Sequence, residues 1–348
     1  MATPLEIEYL GYYRDTLLNR QYNDHDGYVD GSKWPPQANA VTMAGQRRID
    51  HMVALLAVAV EAGVPGSFIE TGVWRGGISF MAAKTLDVLH QVALRAAGTS
   101  AWPRASRLVY LCDSFSGIPN QYEYARAPGR SHLHPPDNMY DRKAHTNTIL
   151  NRNSLDRVQA DARRFHLDTS HLRFEKGFFN ESLPALLRRE ADAHFAIVRL
   201  DGDTYWSTYE ALELLYPRLS PGGFLIIDDY VDWLGCRQAV HHYRKVANIT
   251  APIALVPHTN GETVRGAYWR KPWTSAGADS EVGVTPKRRH RHDTVALSST
   301  AICVGAPPSS LRLQGSHNPQ TAEVLGAEGS RLLFPRDPAC CGAVYRCV

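Results

Sequence analysis

Ser67-Phe68-Ile69-Glu70-Thr71-Gly72-Val73-Trp74-Arg75-Gly76-Gly77, running on into Ile78 to His90, is the stretch whose reading decides the fold. Ser67 to Glu70 is short and apolar up to its last residue and reads as a strand. Thr71 to Gly77 is a glycine-rich turn, and Ile78 to His90 has the apolar spacing of a helix. A strand that passes through such a turn into a helix is the first half of a βαβ unit.

Working outward, the same alternation recurs. Leu108 to Cys112 reads as a strand ending in Asp113, and Leu172 to Phe174, His194 to Leu200 and Gly223 to Ile227 as three more. Helices fit at Leu155 to Phe165, Leu183 to Arg189 and Tyr205 to Tyr216. Strands spaced by helices imply right-handed crossovers, a mostly parallel sheet and a doubly wound α/β domain, in which ligands gather at the carboxyl ends of the strands. Before this region, Leu5 to Asn19 and Gly45 to Glu61 read as helices joined by a loop rich in Asp, Gly and Pro, so residues 1–65 are expected to form a helical cap over the strand ends, where substrate specificity would be built. After Trp273 the composition turns to Ser, Gly, Ala and Pro without a sustained period. Residues 274–348 are therefore expected to be a disordered tail, and 66–273 the catalytic domain.

Composition narrows the function. The 348 residues carry 38 Lys and Arg against 35 Asp and Glu, with 44% hydrophobic content. So even a balance lacks the broad basic field that nucleic acid or an anionic membrane would require, and a small molecule is the expected partner. The longest strongly apolar run, Met52 to Val60, is too short to cross a bilayer, and the N-terminus has no signal-peptide pattern. Four of the six cysteines, Cys303, Cys340, Cys341 and Cys347, lie in the tail; with Cys112 and Cys236 they form no disulfide framework or Cys-x-x-Cys pair, so the expected setting is a reducing cytoplasm.

Three segments carry chemistry. In Glu70 to Gly77 the spacing Gly-x-x-x-Gly-Gly, with an acid two residues before the first glycine, differs from the Gly-x-Gly-x-x-Gly that receives a pyrophosphate and suits a cationic or hydroxyl-bearing ligand. Asp113 closes the second strand, where a carboxylate commonly accepts from ribose hydroxyls; capping of Ser114 to Pro119 is its alternative use. The third segment is acidic: Asp201 and Asp203 end one strand, and Asp228 and Asp229 end the next. Neighbouring strands would bring these carboxylates together. A set of oxygens that repel one another unless a cation neutralises them suits Mg²⁺; the alternative is that some of them cap the helices beginning near Thr204 and Leu234. From the residues alone, a nicotinamide cofactor and S-adenosylmethionine both remain open.

Six blocks resemble the macrocin O-methyltransferase family of the TylF and MycF type. They are Glu70 to Gly77, Asp113 to Pro119, Leu200 to Tyr205, Tyr216 to Gly223, Ile226 to Tyr230 and Cys236 to Val240, with a weaker match at Trp34-Pro35-Pro36 and Thr42-Met43. These enzymes use S-adenosylmethionine and Mg²⁺ to methylate sugar hydroxyls of natural products. The resemblance implies the seven-stranded, Rossmann-like class I methyltransferase sheet, and a homodimer. It further implies that Glu70, Thr71, Gly72, Val73, Trp74 and Ser79 surround the methionine end and ribose of the cofactor, that Asp113 accepts from the ribose, and that Ser154 and Gly177 lie near the adenine. Asp201, Asp228 and Asp229 match the family's metal ligands, and Asp201 its general base. The stretch from His90 to Arg107 is longer than usual in the family, Gln37 to Val41 differs from it, and the tail has no counterpart. A non-catalytic protein that binds S-adenosylmethionine is the remaining alternative to an enzyme. Trp34, Trp206 and Trp233 are candidates for the acceptor pocket, and the histidines His25, His132, His134, His145, His241 and His242 read as surface or packing residues.

Overall fold

A computed structural model describes residues 2–19, 40–97, 107–118, 153–257 and 264–273, and the backbone of 321–325 and 331–335. The Trp34 block, the loop from Asn120 to Asn151, His25, His132, His134, His145 and most of the tail lie outside the described residues.

The elements follow the alternation in the sequence: α1 (Pro4–Leu17), α2 (Gln46–Glu61), β1 (Ser67–Thr71), α3 (Gly77–Ala96), β2 (Val109–Asp113), α4 (Leu155–Arg164), β3 (Leu172–Lys176), α5 (Phe179–Arg189), β4 (Phe195–Leu200), α6 (Tyr205–Leu215), β5 (Leu219–Ile227), α7 (Leu234–Val246), β6 (Ala254–Pro257) and β7 (Val264–Arg270). A separate antiparallel pair, β8 (Thr321–Leu325) with β9 (Arg331–Pro335), lies in the C-terminal segment, where the sequence pattern predicts no strand.

The main sheet has the order β3-β2-β1-β4-β5-β7-β6. Strands β1 to β5 pair in parallel, while β7 is antiparallel to both β5 and β6. The chain winds one way from β1 through β2 to β3 and the other way from β4 to β5, so the switch point lies between β1 and β4. This is where a doubly wound sheet opens a crevice at its carboxyl edge.

Both faces of the sheet are covered, which is why its central strands read as apolar runs. Phe68, Ile197, Phe224 and Ile226 point into one core with α1 to α4, while Ile69, Val198, Leu225 and Ile227 point into the other with α5 to α7. Within the first core, α2 contributes Ile49, Met52, Val53 and Leu56. Thr3 and Glu6 form a capping box that starts α1, and buried Arg14 ties α1 to α2 through Asp50 at 2.8 Å.

Two elements start earlier than their sequence pattern suggests. β5 begins at Leu219 because Gly222 and Gly223 exchange backbone hydrogen bonds with Lys271, just beyond β7, while Ser220 donates to the Pro65 carbonyl. Helix α5 begins at Phe179, whose ring joins the second core. Trp206 and Trp233 are buried in that core as well.

Gly72 is the tightest point between β1 and β4. Its φ is +85°, its N–H donates to the Cys112 carbonyl, and a Cβ there would stand 1.7 Å from the Asp201 carbonyl oxygen. Gly63, with φ +67°, faces open space, and a Cβ added there would meet nothing within 4 Å. Gly63→Ala is expected to cost about 1–2 kcal/mol from its backbone conformation alone, whereas Gly72→Ala should cost well over about 3 kcal/mol or prevent folding. Denaturant unfolding of the two variants checks this order.

His51 on α2 packs edge-on against Tyr268 of β7, with ring centroids 4.4 Å apart, and its buried Nε2 has no partner among the described residues. Burial lowers its pKa to about 4. The unfolded chain takes up this proton near pH 6.5 and the native state does not, so the stabilisation is complete above pH 6.5 and is lost as pH falls toward 4. Over that window His51 should withdraw up to about 3 kcal/mol of stability. His51→Phe is expected to flatten this part of the stability profile, as measured by urea unfolding between pH 4 and 7.

Candidate active site

The carboxyl ends of β1, β2, β4 and β5 meet at the switch point, and each delivers an acid there. Glu70 precedes the last residue of β1 and is 1% exposed. Its Oε2 accepts from the Ser79 hydroxyl on α3, and its Oε1 from Nη1 of Arg199. Burial raises the Glu70 pKa, Arg199 and Ser79 oppose the rise, and the carboxyl settles at about 7.

Asp113 closes β2 and turns back onto the glycine-rich loop. One oxygen accepts from the Val73 and Trp74 backbone N–H groups at 2.9 and 3.2 Å, and the other from Phe115 N–H at 2.8 Å. Asp113 therefore gathers three backbone N–H groups and shapes the loop. The turn-capping use expected of Asp113 is thus present in the hydrogen bond from Phe115. Trp74 takes a left-handed φ of +49° within this loop, and its carbonyl accepts from Asn153 at 2.9 Å. That contact brings the start of α4 to the crevice, where Ser154 caps the helix by accepting from Arg157 N–H. Gly177, with φ +140°, donates its N–H to the Asp113 carbonyl and stands on the opposite side of β2 from β1. The Thr71 hydroxyl is buried without a partner among the described residues. An orphaned hydroxyl beside Glu70 suits a polar ligand that can pair with it.

The acidic trio comes together as the strand order requires. Asp201 follows β4 and Asp228 and Asp229 follow β5; one carboxylate oxygen from each lies within 4.8 Å of the others. Asp203, with φ +61°, donates its N–H to Asp229 at 2.9 Å.

Two arginines outside every sequence motif organise these acids. Arg199 is 2% exposed, and its guanidinium bridges Glu70, Asp201 and Asp228 from three different strands. Arg48, at the start of α2, pairs with the other oxygen of Asp228. A signal for Arg199 was present: it is the one charged residue in the strand Phe195-Ala196-Ile197-Val198-Arg199-Leu200, two residues before an Asp. Arg48 left no such trace, since it sits in an ordinary helix start 180 residues from Asp228.

The charges are unevenly met. Burial disfavours ionised Asp228, but Arg199 and Arg48 outweigh it and hold its pKa below the usual carboxylate range. Asp201 is raised by burial and by Asp228, with Arg199 opposing. Asp229 is pushed far up by burial and by Asp203, Asp201 and Asp228 together. Among the described residues no basic side chain pairs with Asp229. A buried all-oxygen set with surplus negative charge fits a hard divalent cation. His241 and His242 are elsewhere, bonded to the Tyr230 and Tyr205 hydroxyls, and Cys112 and Cys236 are buried free thiols.

Sheet order, glycine turn and strand-end acids together define a class I, S-adenosylmethionine-dependent methyltransferase. Residues 2–271 match the TylF macrocin-O-methyltransferase family, and the chain belongs to that family. An 8-demethyl-8-(2,3-dimethoxy-alpha-L-rhamnosyl)-tetracenomycin-C 4'-O-methyltransferase of Streptomyces olivaceus is 36% identical over 77% of this chain and 94% of its own. Mycinamicin III 3''-O-methyltransferase of Micromonospora griseorubida is 33% identical over 78% of this chain and 98% of its own. The solved O-methyltransferase NovP is 30% identical with a TM-score of 0.59, covering 76% of this chain and 98% of that one. The protein is thus an S-adenosylmethionine-dependent O-methyltransferase, which sets the nicotinamide and non-catalytic alternatives aside. Among the described residues no helix is long and apolar enough to cross a membrane.

Removing Arg199 would leave buried Glu70 without a cation, Asp201 without its arginine and Asp228 with Arg48 alone. Arg199→Met is expected to lose about 3–5 kcal/mol near pH 7, and Arg199→Lys, which keeps the charge but not the fork, to lose less. The deficit of Arg199→Met should shrink as the pH drops and the stranded acids take up protons. A deficit that does not vary with pH would contradict this account.

Proposed function

We propose that this enzyme methylates a hydroxyl of a sugar-bearing natural product with the help of Mg²⁺, and that Asp201 acts as both metal ligand and general base. The observation that carries the reading is the convergence of Asp201, Asp228 and Asp229 beside the β1 turn, at the switch point of the sheet. The family membership and the sugar-directed names of the relatives support the acceptor class.

In this reading Glu70, Thr71, Gly72, Val73, Trp74 and Ser79 bind the methionine end and ribose of S-adenosylmethionine, with Asp113 on the ribose and Ser154 and Gly177 near the adenine. S-adenosylmethionine supplies a methyl group on a sulfonium that leaves as a neutral thioether. Asp201, Asp228 and Asp229 hold the divalent ion, which supplies Lewis-acid polarisation of the acceptor hydroxyl. The chain's own residues do the rest. Asp201, 30% exposed at its side chain where Asp228 and Asp229 are buried, is the member of the trio open to an entering acceptor and would take its hydroxyl proton. Arg199 fixes the Asp201 carboxylate, and the β1 turn would orient the methionine end of the cofactor. Residues 1–65 are assigned to acceptor selection, 66–273 to catalysis and 274–348 to a tail. The enzyme is placed in the cytoplasm, in keeping with its free thiols, as a homodimer.

Asp201→Asn is expected to lower turnover by about 10²–10⁴-fold while S-adenosylhomocysteine binding stays within a few-fold of the parent by calorimetry. Chelation should abolish activity and added Mg²⁺ restore it. Loss of S-adenosylhomocysteine binding in Asp201→Asn, or full activity in chelator, would remove Asp201 or the metal from the mechanism.

A further inference from the structure

Both oxygens of Asp228 are already held by cations. Arg199 Nη2 bonds Oδ1 and Arg48 Nη1 bonds Oδ2, whereas Asp201 meets only Arg199 and Asp229 meets neither. The two arginines are not equivalent. Arg199 is locked by three carboxylates and fully buried. Arg48 reaches in from α2, is 15% exposed at its side chain, and has the Met43 carbonyl, at 2.9 Å, as its other partner. A doubly charged ion ligated by Asp228 would lie within a few ångströms of the Arg48 guanidinium, and two cations at that separation in a half-buried site repel strongly. One of them must yield, and Arg48 is the one with a route outward.

We propose that Arg48 and the divalent ion compete for Asp228, so that Arg48 is a positioning residue that sets the affinity of the metal site. The inference rests on the divalent-ion reading of the acidic trio. It has a consequence beyond affinity, because the segment leading into α2 also touches the cofactor turn: Gly77 N–H donates to the Val41 carbonyl, and Arg75 to the Ala40 carbonyl at 2.8 Å. Withdrawal of Arg48 from Asp228 loosens the tie between this segment and the end of β5. By linkage, whatever strengthens that tie weakens ion binding to the same extent.

Mn²⁺ binding to the full-length protein, followed by electron paramagnetic resonance, tests this. Arg48→Gln is expected to tighten Mn²⁺ by at least roughly ten-fold, and its melting temperature without added metal should fall while the rise produced by saturating Mn²⁺ grows. Arg48→Lys, retaining the charge as a single point donor, should lie between Arg48→Gln and the parent and keeps the test open if Arg48→Gln folds poorly. Arg47→Gln removes one positive charge from the adjacent residue and should leave Mn²⁺ affinity within about two-fold of the parent. Unchanged or weaker Mn²⁺ binding in both Arg48 variants overturns the competition, as does equal tightening in Arg47→Gln, which would make it a matter of net charge. Should neither the parent nor Arg48→Gln bind Mn²⁺ in a way that Asp228→Asn abolishes, the divalent-ion reading itself falls; binding by the parent that Asp228→Asn abolishes, with no gain in Arg48→Gln, removes the competition alone.

Discussion

The buried guanidinium of Arg199 is the constraint on which the rest of the site depends. One side chain from the middle of the sheet meets carboxylates carried by β1, β4 and β5, and its guanidinium, Glu70 and Asp228 are buried while Asp201 is partly open. None of those acids could stay ionised there alone, because burial favours their neutral forms. The pairing sets the end of β1, which carries the glycine turn, against the ends of β4 and β5, which carry the acidic trio. The glycine-turn side and the acidic-trio side of the crevice are thus tied at one guanidinium.

Backbone fit complements that charge. Gly72 lets β1 pass close beneath the Asp201 carbonyl, and the Thr71 carbonyl accepts from Asp201 N–H at 2.8 Å. Asp113 pins the turn from the other side by gathering three N–H groups. The turn is therefore held from β2 and from β4 before any ligand arrives, and such preorganisation spares the binding step the cost of ordering a loop. The left-handed residues Trp74, Phe115 and Asp203 all lie at these strand ends, where backbone strain accompanies function in many folds.

Charge balance then separates the acids by role. Among the described residues, Asp228 is met by two arginines, Asp201 shares one, and the Asp229 carboxylate is met by a backbone N–H from Asp203. On the proposed divalent-ion reading, a cation entering three carboxylates with such graded neutralisation would gain most at Asp229 and displace most at Asp228. That gradient comes from which strand each acid ends and which helix faces it.

Sequence by itself determined the local alternation of strand and helix, the glycine turn, the acids at the strand ends and the family, because each is written in neighbouring residues or in the spacing of short blocks. It also indicated that β4 and β5 acids would meet, given only that their strands are adjacent. It did not show β6 and β7, whose place follows from antiparallel pairing to β5 and not from any local pattern, nor the early start of β5, which Lys271 creates from the far end of the domain. Most of all it did not show what balances the acids. Arg199 and Glu70 are 129 residues apart and Arg48 and Asp228 are 180 apart; a periodicity reads along the chain, whereas a buried ion pair is chosen by which side chains the crossovers place within reach. The residue types at the site were legible beforehand, and their division of charge was decided only by the tertiary structure.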